Sequence, residues 1–161
     1  MKVYLVRHAQ ADSEVPEGLD DGARPLTGKG RRAAEKHFRA LRHRMDGVDL
    51  VFMSPLVRAV QTAQILTLAQ ELDVPVRVHR SLLPDMPTGS QEGLLKEHKD
   101  EDLVLVGHNP GIEDLASLLA GESVPMPTSA LTVITLPGRW STAGRDSAVL
   151  RASGRPPAQT C

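Results

Sequence analysis

Short apolar runs alternate with stretches of helical periodicity along most of this 161-residue chain. The runs are rich in Val, Leu and Ile, which is typical of strands buried on both faces of a sheet. We expect five strands and a short sixth, at 2–6, 49–53, 74–79, 102–106, 131–136 and 147–150. Because strands alternate with helices, the pattern predicts a three-layer α/β/α fold with a mostly parallel central sheet.

Capping and turn residues place four helices between these strands. Thr27 is expected to cap the first helix, and Gly47 to end it. Ser54 and Asn109 are expected to cap the second and fourth helices, because each is followed by a proline suited to the first helical position. The third helix is weaker and is expected from about 90–98.

Composition limits the kinds of partner. Nineteen basic and 20 acidic residues leave a net charge of -1, and aromatic residues make up 2% of the chain, so we expect no nucleic-acid binding. The lone cysteine, Cys161, excludes an intrachain disulfide, and no apolar run is long enough for a signal peptide or a membrane span. We therefore expect a cytoplasmic monomer without membrane contact, with one domain over 1–152 and a frayed tail over 153–161.

Three of the expected strands end beside residues that can bind an anion. Arg7 and His8 follow the first strand, Arg58 lies one helical turn beyond the second, and His108 follows the fourth. Ligands of parallel sheets bind beyond the carboxyl ends of the strands, so these side chains should share one cleft. Arg24, in the loop before the first helix, is a candidate for a third arginine there.

Convergent arginines predict a phosphate-sized ligand, because the guanidinium fork matches phosphate oxygens and stays charged. Like charge lowers the pKa of a histidine from its usual value of about 6.5, which would keep His8 neutral and nucleophilic. The sequence therefore predicts phosphoryl transfer in which His8 attacks and water later hydrolyses the phosphohistidine. Arg7, Arg58 and His108 would hold the phosphoryl oxygens.

Three segments resemble motifs of the histidine phosphatase superfamily, which has the phosphoglycerate mutase-like fold. Residues 7–9, Arg-His-Ala, resemble its Arg-His-Gly signature, with alanine in place of glycine. Residues 54–63, Ser-Pro-Leu-Val-Arg-Ala-Val-Gln-Thr-Ala, are similar to its Ser-Pro-x-x-Arg-Ala-x-Gln-Thr-Ala segment, and 107–110, Gly-His-Asn-Pro, match its second histidine. With the Arg-Pro-Leu-Thr of 24–27, the chain looks most like the SixA branch of phosphohistidine phosphatases. The likeness runs from residue 1 to about 136.

The resemblance implies a role for each matching residue. His8 corresponds to the nucleophile of the family, and its phosphate pocket corresponds to Arg7, Arg58 and His108. Arg24 and Asn109 are expected as further substrate contacts. No metal or cofactor is implied.

Many relatives carry a glutamate that protonates the leaving group, set in an insertion that this chain has no room for. The 53 residues 55–107 are filled by a helix, a strand, a helix and a strand, so we expect no cap domain. Asp85 and Glu92 lie in that interval, and Asp85 is the candidate proton donor. Phosphohistidine loses imidazole, a better leaving group than an alkoxide, so a strong general acid matters less. The expected substrate is thus a phosphohistidine on a phosphotransfer protein.

Other interpretations stay open on the sequence alone. The site would also suit a small-molecule phosphomonoesterase or mutase, or a phosphate-binding module with little turnover. The alternative for Arg24 is an ion pair with Asp20 or Asp21. The basic residues of the first helix form either a solvated face or a docking surface for an acidic partner; they are Arg31, Arg32, Lys36, Arg39, Arg42 and Arg44.

Overall fold

A computed structural model describes residues 1–41, 44–136 and 149–154. Six strands form one sheet in the order β3-β2-β4-β1-β5-β6. Their bounds are β1 Lys2–Arg7, β2 Leu50–Met53, β3 Val76–Val78, β4 Leu103–Gly107, β5 Leu131–Thr135 and β6 Val149–Gly154. The pairs β3–β2, β2–β4 and β4–β1 are parallel, whereas β1–β5 and β5–β6 are antiparallel. The expectation of a mostly parallel sheet is confirmed.

Helices cover both faces of the sheet. The four α-helices are α1 Gly28–Ala40, α2 Val57–Gln70, α3 Thr88–Glu97 and α4 Gly111–Ala120, and short 3-10 helices lie at Asp21–Ala23 and Arg80–Leu82. One core cluster joins the sheet to buried residues of α1 and α2, and a second joins it to α3 and α4. This arrangement confirms the three-layer α/β/α fold. In the described part of the chain, no helix is both long and apolar enough to cross a membrane.

The expected end of the first helix is wrong. Thr27 does cap α1, because its Oγ1 accepts a hydrogen bond from the Gly30 amide at 2.9 Å. The helix ends at Ala40, however, rather than near Gly47. Met45 continues the apolar spacing of the helix and is fully buried, but it packs into the core from the segment after α1. Burial therefore explains the apolar spacing there without a helix.

The expected caps of α2 and α4 are also wrong. Leu56 precedes the first residue of α2, and Pro110 precedes that of α4; neither cap position has a side-chain hydrogen bond. Ser54 lies three residues before α2, and Asn109 lies two before α4. Both side chains bond to groups around the cavity described below. Ser54 Oγ also accepts from the Leu56 amide at 3.3 Å, and Asn109 Nδ2 donates to Glu113 in the first turn of α4, so both side chains keep a local contact without occupying the cap position.

The remaining expectations concern the chain end and the basic helix. β6 continues through Ser153 and Gly154, which we expected in a frayed tail, while residues 147–148 and 155–161 lie outside the described residues.

The basic residues Arg31, Arg32, Lys36 and Arg39 are exposed on α1, and Arg42 lies outside the described residues. Exposure leaves the choice between a solvated face and a docking surface open.

Gly30 brings the first turn of α1 against the backbone that follows β1. A Cβ at Gly30 would overlap the carbonyl oxygen of Gln10. We predict that Gly30→Ala lowers the free energy of unfolding by about 1–3 kcal/mol, because overpacking forces the two backbone segments apart. Urea denaturation measures the change.

Gly93 in α3 provides the matched control, since a Cβ there would meet no atom within 4 Å. Gly93→Ala should leave stability unchanged or raise it by up to about 1 kcal/mol, as alanine is the better helix former. Equal effects of the two substitutions would contradict the packing argument.

Candidate active site

An open cavity of about 350 Å³ lies beyond the carboxyl ends of β1 and β4. His8 and His108 are the first residues after these two strands, and their ring centroids are 5.1 Å apart. The cavity is lined by ten residues, namely Arg7, His8, Gln10, Ala11, Arg24, Arg58, Pro84, His108, Asn109 and Thr128. The structure thus brings six of the seven proposed site residues together.

Asp85 is the proposed site residue that the structure does not bring in. It is exposed, and Pro84 before it lines the cavity while Asp85 does not. Gln10 and Thr128 line the cavity but were not predicted from the sequence. Neither belongs to a recognisable pattern, so only the fold could reveal them.

His8 is fixed by backbone and side-chain hydrogen bonds. Its amide donates to the carbonyl of Gly107 at 3.0 Å, and its own carbonyl accepts from the Ser129 amide at 3.2 Å. Ring Nδ1 lies 2.7 Å from the carbonyl oxygen of Ala9. A carbonyl only accepts, so Nδ1 carries the proton in this contact. The lone pair of the neutral ring is then on Nε2, the nitrogen available for attack.

Burial keeps His8 uncharged. Its pKa is lowered to about 4, chiefly because burial removes water from the charged form, with smaller contributions from Arg58, Arg7 and Arg24. The hydrogen bond to Ala9 acts in the opposite direction. The neutral imidazole agrees with the expectation, but loss of solvation, and not the arginines, is its largest cause.

His108 has a similar environment. Its pKa is lowered to about 3, first by burial and then by His8 and Arg58. Ring Nε2 lies 2.7 Å from the hydroxyl of Ser54, which is fully buried. Nδ1 is buried without a partner among the described residues. When Ser54 donates to Nε2, the proton of the neutral ring is on Nδ1.

Other side chains of the cavity are held by hydrogen bonds through some of their polar atoms, while others of their polar atoms are unpaired in the part of the chain that the structure describes. Arg7 donates from Nη1 to the Met126 carbonyl at 3.1 Å, and Asn109 Nδ2 donates to the same oxygen at 2.8 Å. Asn109 also donates to the Glu113 carboxylate at 3.2 Å. Within the described chain, Nε of Arg7, Nε of Arg58 and Oδ1 of Asn109 are buried without a hydrogen bond. Arg7 and Arg58 both line the cavity, and their guanidinium charge favours an anionic ligand.

Asp21 links the two remaining arginines. Its carboxylate accepts from Arg24 Nε at 2.7 Å and from Arg58 Nη2 at 3.1 Å. The two interpretations of Arg24 are therefore compatible: it pairs with Asp21 and also lines the cavity. The pKa of Asp21 is lowered, first by the hydrogen bond from Arg24. A carboxylate held in its charged form is a poor proton donor.

Gln61 and Thr62 of α2 hold the loops around the site. The buried Ala9 amide donates to Thr62 Oγ1 at 2.9 Å, and that hydroxyl donates to the Arg58 carbonyl at 2.7 Å. Gln61 Oε1 accepts from the Leu26 amide at 2.8 Å. These contacts explain the Gln-Thr pair of the motif at 54–63, whose roles the sequence alone did not reveal.

The described residues contain no group of three His, Cys, Asp or Glu side chains that could hold a metal ion. The residues that line the cavity offer guanidinium, imidazole, amide and hydroxyl groups, which suit a phosphoryl group.

The lowered histidine pKa values predict a pH dependence of stability. The folded-state values of about 4 for His8 and about 3 for His108 lie below the unfolded value of about 6.5. Between these limits the unfolded chain binds more protons, so stability falls as pH decreases. The free energy of unfolding of the parent protein should decrease between pH 7 and pH 5. We predict that this decrease is smaller by about 1–2 kcal/mol in His8→Asn. Urea denaturation at both pH values measures it, and an equal loss in the variant would contradict the assignment.

The comparisons with known proteins agree with the geometry. A model of the histidine phosphatase superfamily (branch 1) matches residues 3–123. Phosphohistidine phosphatase SixA of Escherichia coli strain K12 is 28% identical over 141 residues, which cover 84% of this chain and 86% of that protein.

Two solved structures share the fold. The protein histidine phosphatase SixA complexed with tungstate has a TM-score of 0.80 at 21% identity, with 96% of each chain covered. A mycobacterial glucosyl-3-phosphoglycerate phosphatase has a TM-score of 0.63 at 20% identity, with 93% of this chain and 95% of that chain covered. Since the family model spans more than half of the 161 residues, the chain belongs to the histidine phosphatase superfamily.

Proposed function

We propose that this protein hydrolyses phosphohistidine on a phosphotransfer protein through a covalent phosphohistidine at His8. Membership of the superfamily supports the phosphatase reaction. The observation that carries the choice of substrate is the lining of the cavity, which consists of cationic, imidazole, amide, hydroxyl and apolar groups.

The first step is transfer of the phosphoryl group to His8. The lone pair on Nε2 attacks phosphorus, and the P–N bond to the substrate imidazole breaks. The other ring nitrogen of the substrate imidazole takes up a proton from solvent, so the leaving nitrogen keeps the bonding electrons as a lone pair and a neutral imidazole departs. Arg7, Arg58 and His108 stabilise the charge on the three phosphoryl oxygens, and each such donor is worth roughly 10²–10³ in rate. Neutral His108 becomes a better donor if it takes up a proton when the dianion binds.

The second step regenerates the nucleophile. Water attacks the phosphorus of the phosphohistidine, the P–N bond breaks, and inorganic phosphate forms. The electron pair returns to Nε2 of His8, which the Ala9 carbonyl keeps in the correct tautomer by holding the Nδ1 proton. The same environment therefore serves both steps.

The substrate proposal depends on the leaving group. An alkoxide needs a proton in the transition state, for which a carboxylic acid is the usual source. The ten lining residues include no Asp or Glu, and the nearby Asp21 carboxylate is held in its charged form by Arg24. Imidazole leaves more readily, so the lining suits a phosphoramidate bond better than a phosphoester.

Access to the cavity agrees with a protein substrate. Among residues 1–41, 44–136 and 149–154, no cap domain lies over the carboxyl ends of the strands. The cavity that His8 lines is open, which supports a histidine displayed on a folded protein as the substrate.

A small-molecule phosphomonoesterase is the second candidate. It is supported by the fold shared with the glucosyl-3-phosphoglycerate phosphatase. The two candidates differ in the leaving group that the site must expel, so a direct comparison of substrates separates them.

We predict that kcat/KM for a phosphohistidine-bearing phosphotransfer protein exceeds that for sugar phosphates by at least about 100-fold, because none of the ten residues that line the cavity is a carboxylic acid able to protonate an alkoxide. Release of inorganic phosphate from both substrate classes, with chelator present, measures the ratio. Equal or faster turnover of a sugar phosphate would favour the second candidate.

We predict that His8→Ala lowers kcat by at least about 10³-fold and abolishes the acid-labile phosphoenzyme, because the nucleophile is lost. Rapid quench with a labelled phosphodonor, followed by mass spectrometry, locates the phosphoryl group. His98→Gln is the control, since His98 pairs with Glu101 away from the cavity. Phosphate trapped on another residue of the parent protein would refute the mechanism.

A further inference from the structure

The 3-10 turn that contains Asp21 connects two of the three arginines at the cavity. Besides its two carboxylate contacts, Asp21 accepts a hydrogen bond at its backbone oxygen from Arg58 Nη1 at 3.0 Å. Arg58 is therefore bonded to one residue through both terminal nitrogens, and its Nε is left without a partner among the described residues. Arg24 is fixed through Nε to Asp21 and through Nη1 to the Asp12 carbonyl at 2.7 Å.

The turn itself has a defined conformation. Asp20 caps it by accepting a hydrogen bond from the Gly22 amide at 3.0 Å. Gly22 packs closely on the start of α2, because a Cβ there would lie 3.1 Å from a methyl carbon of Leu56. The Asp21 carboxylate is thus held at a set distance from α2, the helix that carries Arg58.

Asp21 can act on a phosphoryl ligand in two opposite ways. Its negative charge repels an anion, whereas its hydrogen bonds orient the guanidinium groups that bind one. The Asp21 side chain is 63% exposed, so water screens the repulsion. The Arg58 side chain is only 5% exposed and both of its terminal nitrogens bond to Asp21, so its orientation depends on Asp21. Orientation should therefore outweigh repulsion.

We propose that Asp21 is a positioning residue whose hydrogen bonds aim Arg24 and Arg58 at the phosphoryl group, so that a carboxylate increases the affinity of the site for phosphate. The inference rests on the proposed function only in taking the cavity as the phosphoryl site. Removing a negative charge beside an anion site ordinarily strengthens binding of the anion, whereas removing the Asp21 carboxylate should weaken it.

The test compares Asp21→Asn and Asp21→Ala with Glu17→Gln. Asp21→Asn preserves the size of the side chain and replaces one acceptor oxygen by a donor, which opposes the arginine donors. Glu17 is an exposed carboxylate of the same loop, so Glu17→Gln removes an equal charge. Isothermal titration with inorganic phosphate measures affinity, and phosphate release from a phosphodonor separates KM from kcat.

We expect both Asp21 variants to bind phosphate about 10-fold more weakly and to raise KM more than they lower kcat, while Glu17→Gln stays within about twofold. Asp21→Glu should recover part of the affinity, because a carboxylate is restored. A purely structural role would lower the melting temperature of folded protein without this change in affinity.

Phosphate binding by Asp21→Asn that equals or exceeds that of the parent protein would overturn the inference. If the parent protein itself binds no phosphate, the proposed function fails instead, so the two failures are distinguishable.

Discussion

The parallel pairing of β1 with β4 determines where the chemistry can occur. Arg7 is paired with Gly107 in the register of these strands, and the His8 amide donates to the Gly107 carbonyl at 3.0 Å. The pairing therefore places two histidines that are 100 positions apart in sequence side by side, at the carboxyl ends of two central strands. A register shift of one residue would direct these side chains to opposite faces.

The site combines buried imidazoles with guanidinium groups. Burial lowers the pKa of His8 and His108, so the free site holds neutral rings beside cationic arginines. In the proposed reaction the neutral His8 is the nucleophile, and the arginines provide charge that does not depend on protonation of a histidine. Asp21 partly neutralises the charge of Arg24 and Arg58 and holds their guanidinium groups in place. Reactivity and anion binding are thus assigned to different groups.

Several errors of prediction have one physical origin. Ser54 and Asn109 are residues of the type that cap helices, and each precedes a proline, so local rules predict caps. In the structure the Ser54 hydroxyl bonds to His108, and the Asn109 amide bonds to Met126 and Glu113. Local and tertiary partners therefore compete for these side chains, since Ser54 also accepts from the Leu56 amide at 3.3 Å and Glu113 lies in the first turn of α4. The same competition explains why Arg24 pairs with Asp21 and still lines the cavity.

The sequence by itself determined the alternation of strands and helices, the mostly parallel sheet and the convergence of His8, Arg58 and His108, because periodicity and strand ends are local properties. Only the tertiary structure decided the tautomer of His8, the dominance of burial in its pKa and the link from Asp21 to two arginines. The burial of His8 and the bond from Arg58 to Asp21 depend on residues far apart in the chain. The contacts of His8 with Ala9 and of Arg24 with Asp21 are local, but they depend on backbone conformations that the sequence pattern does not specify.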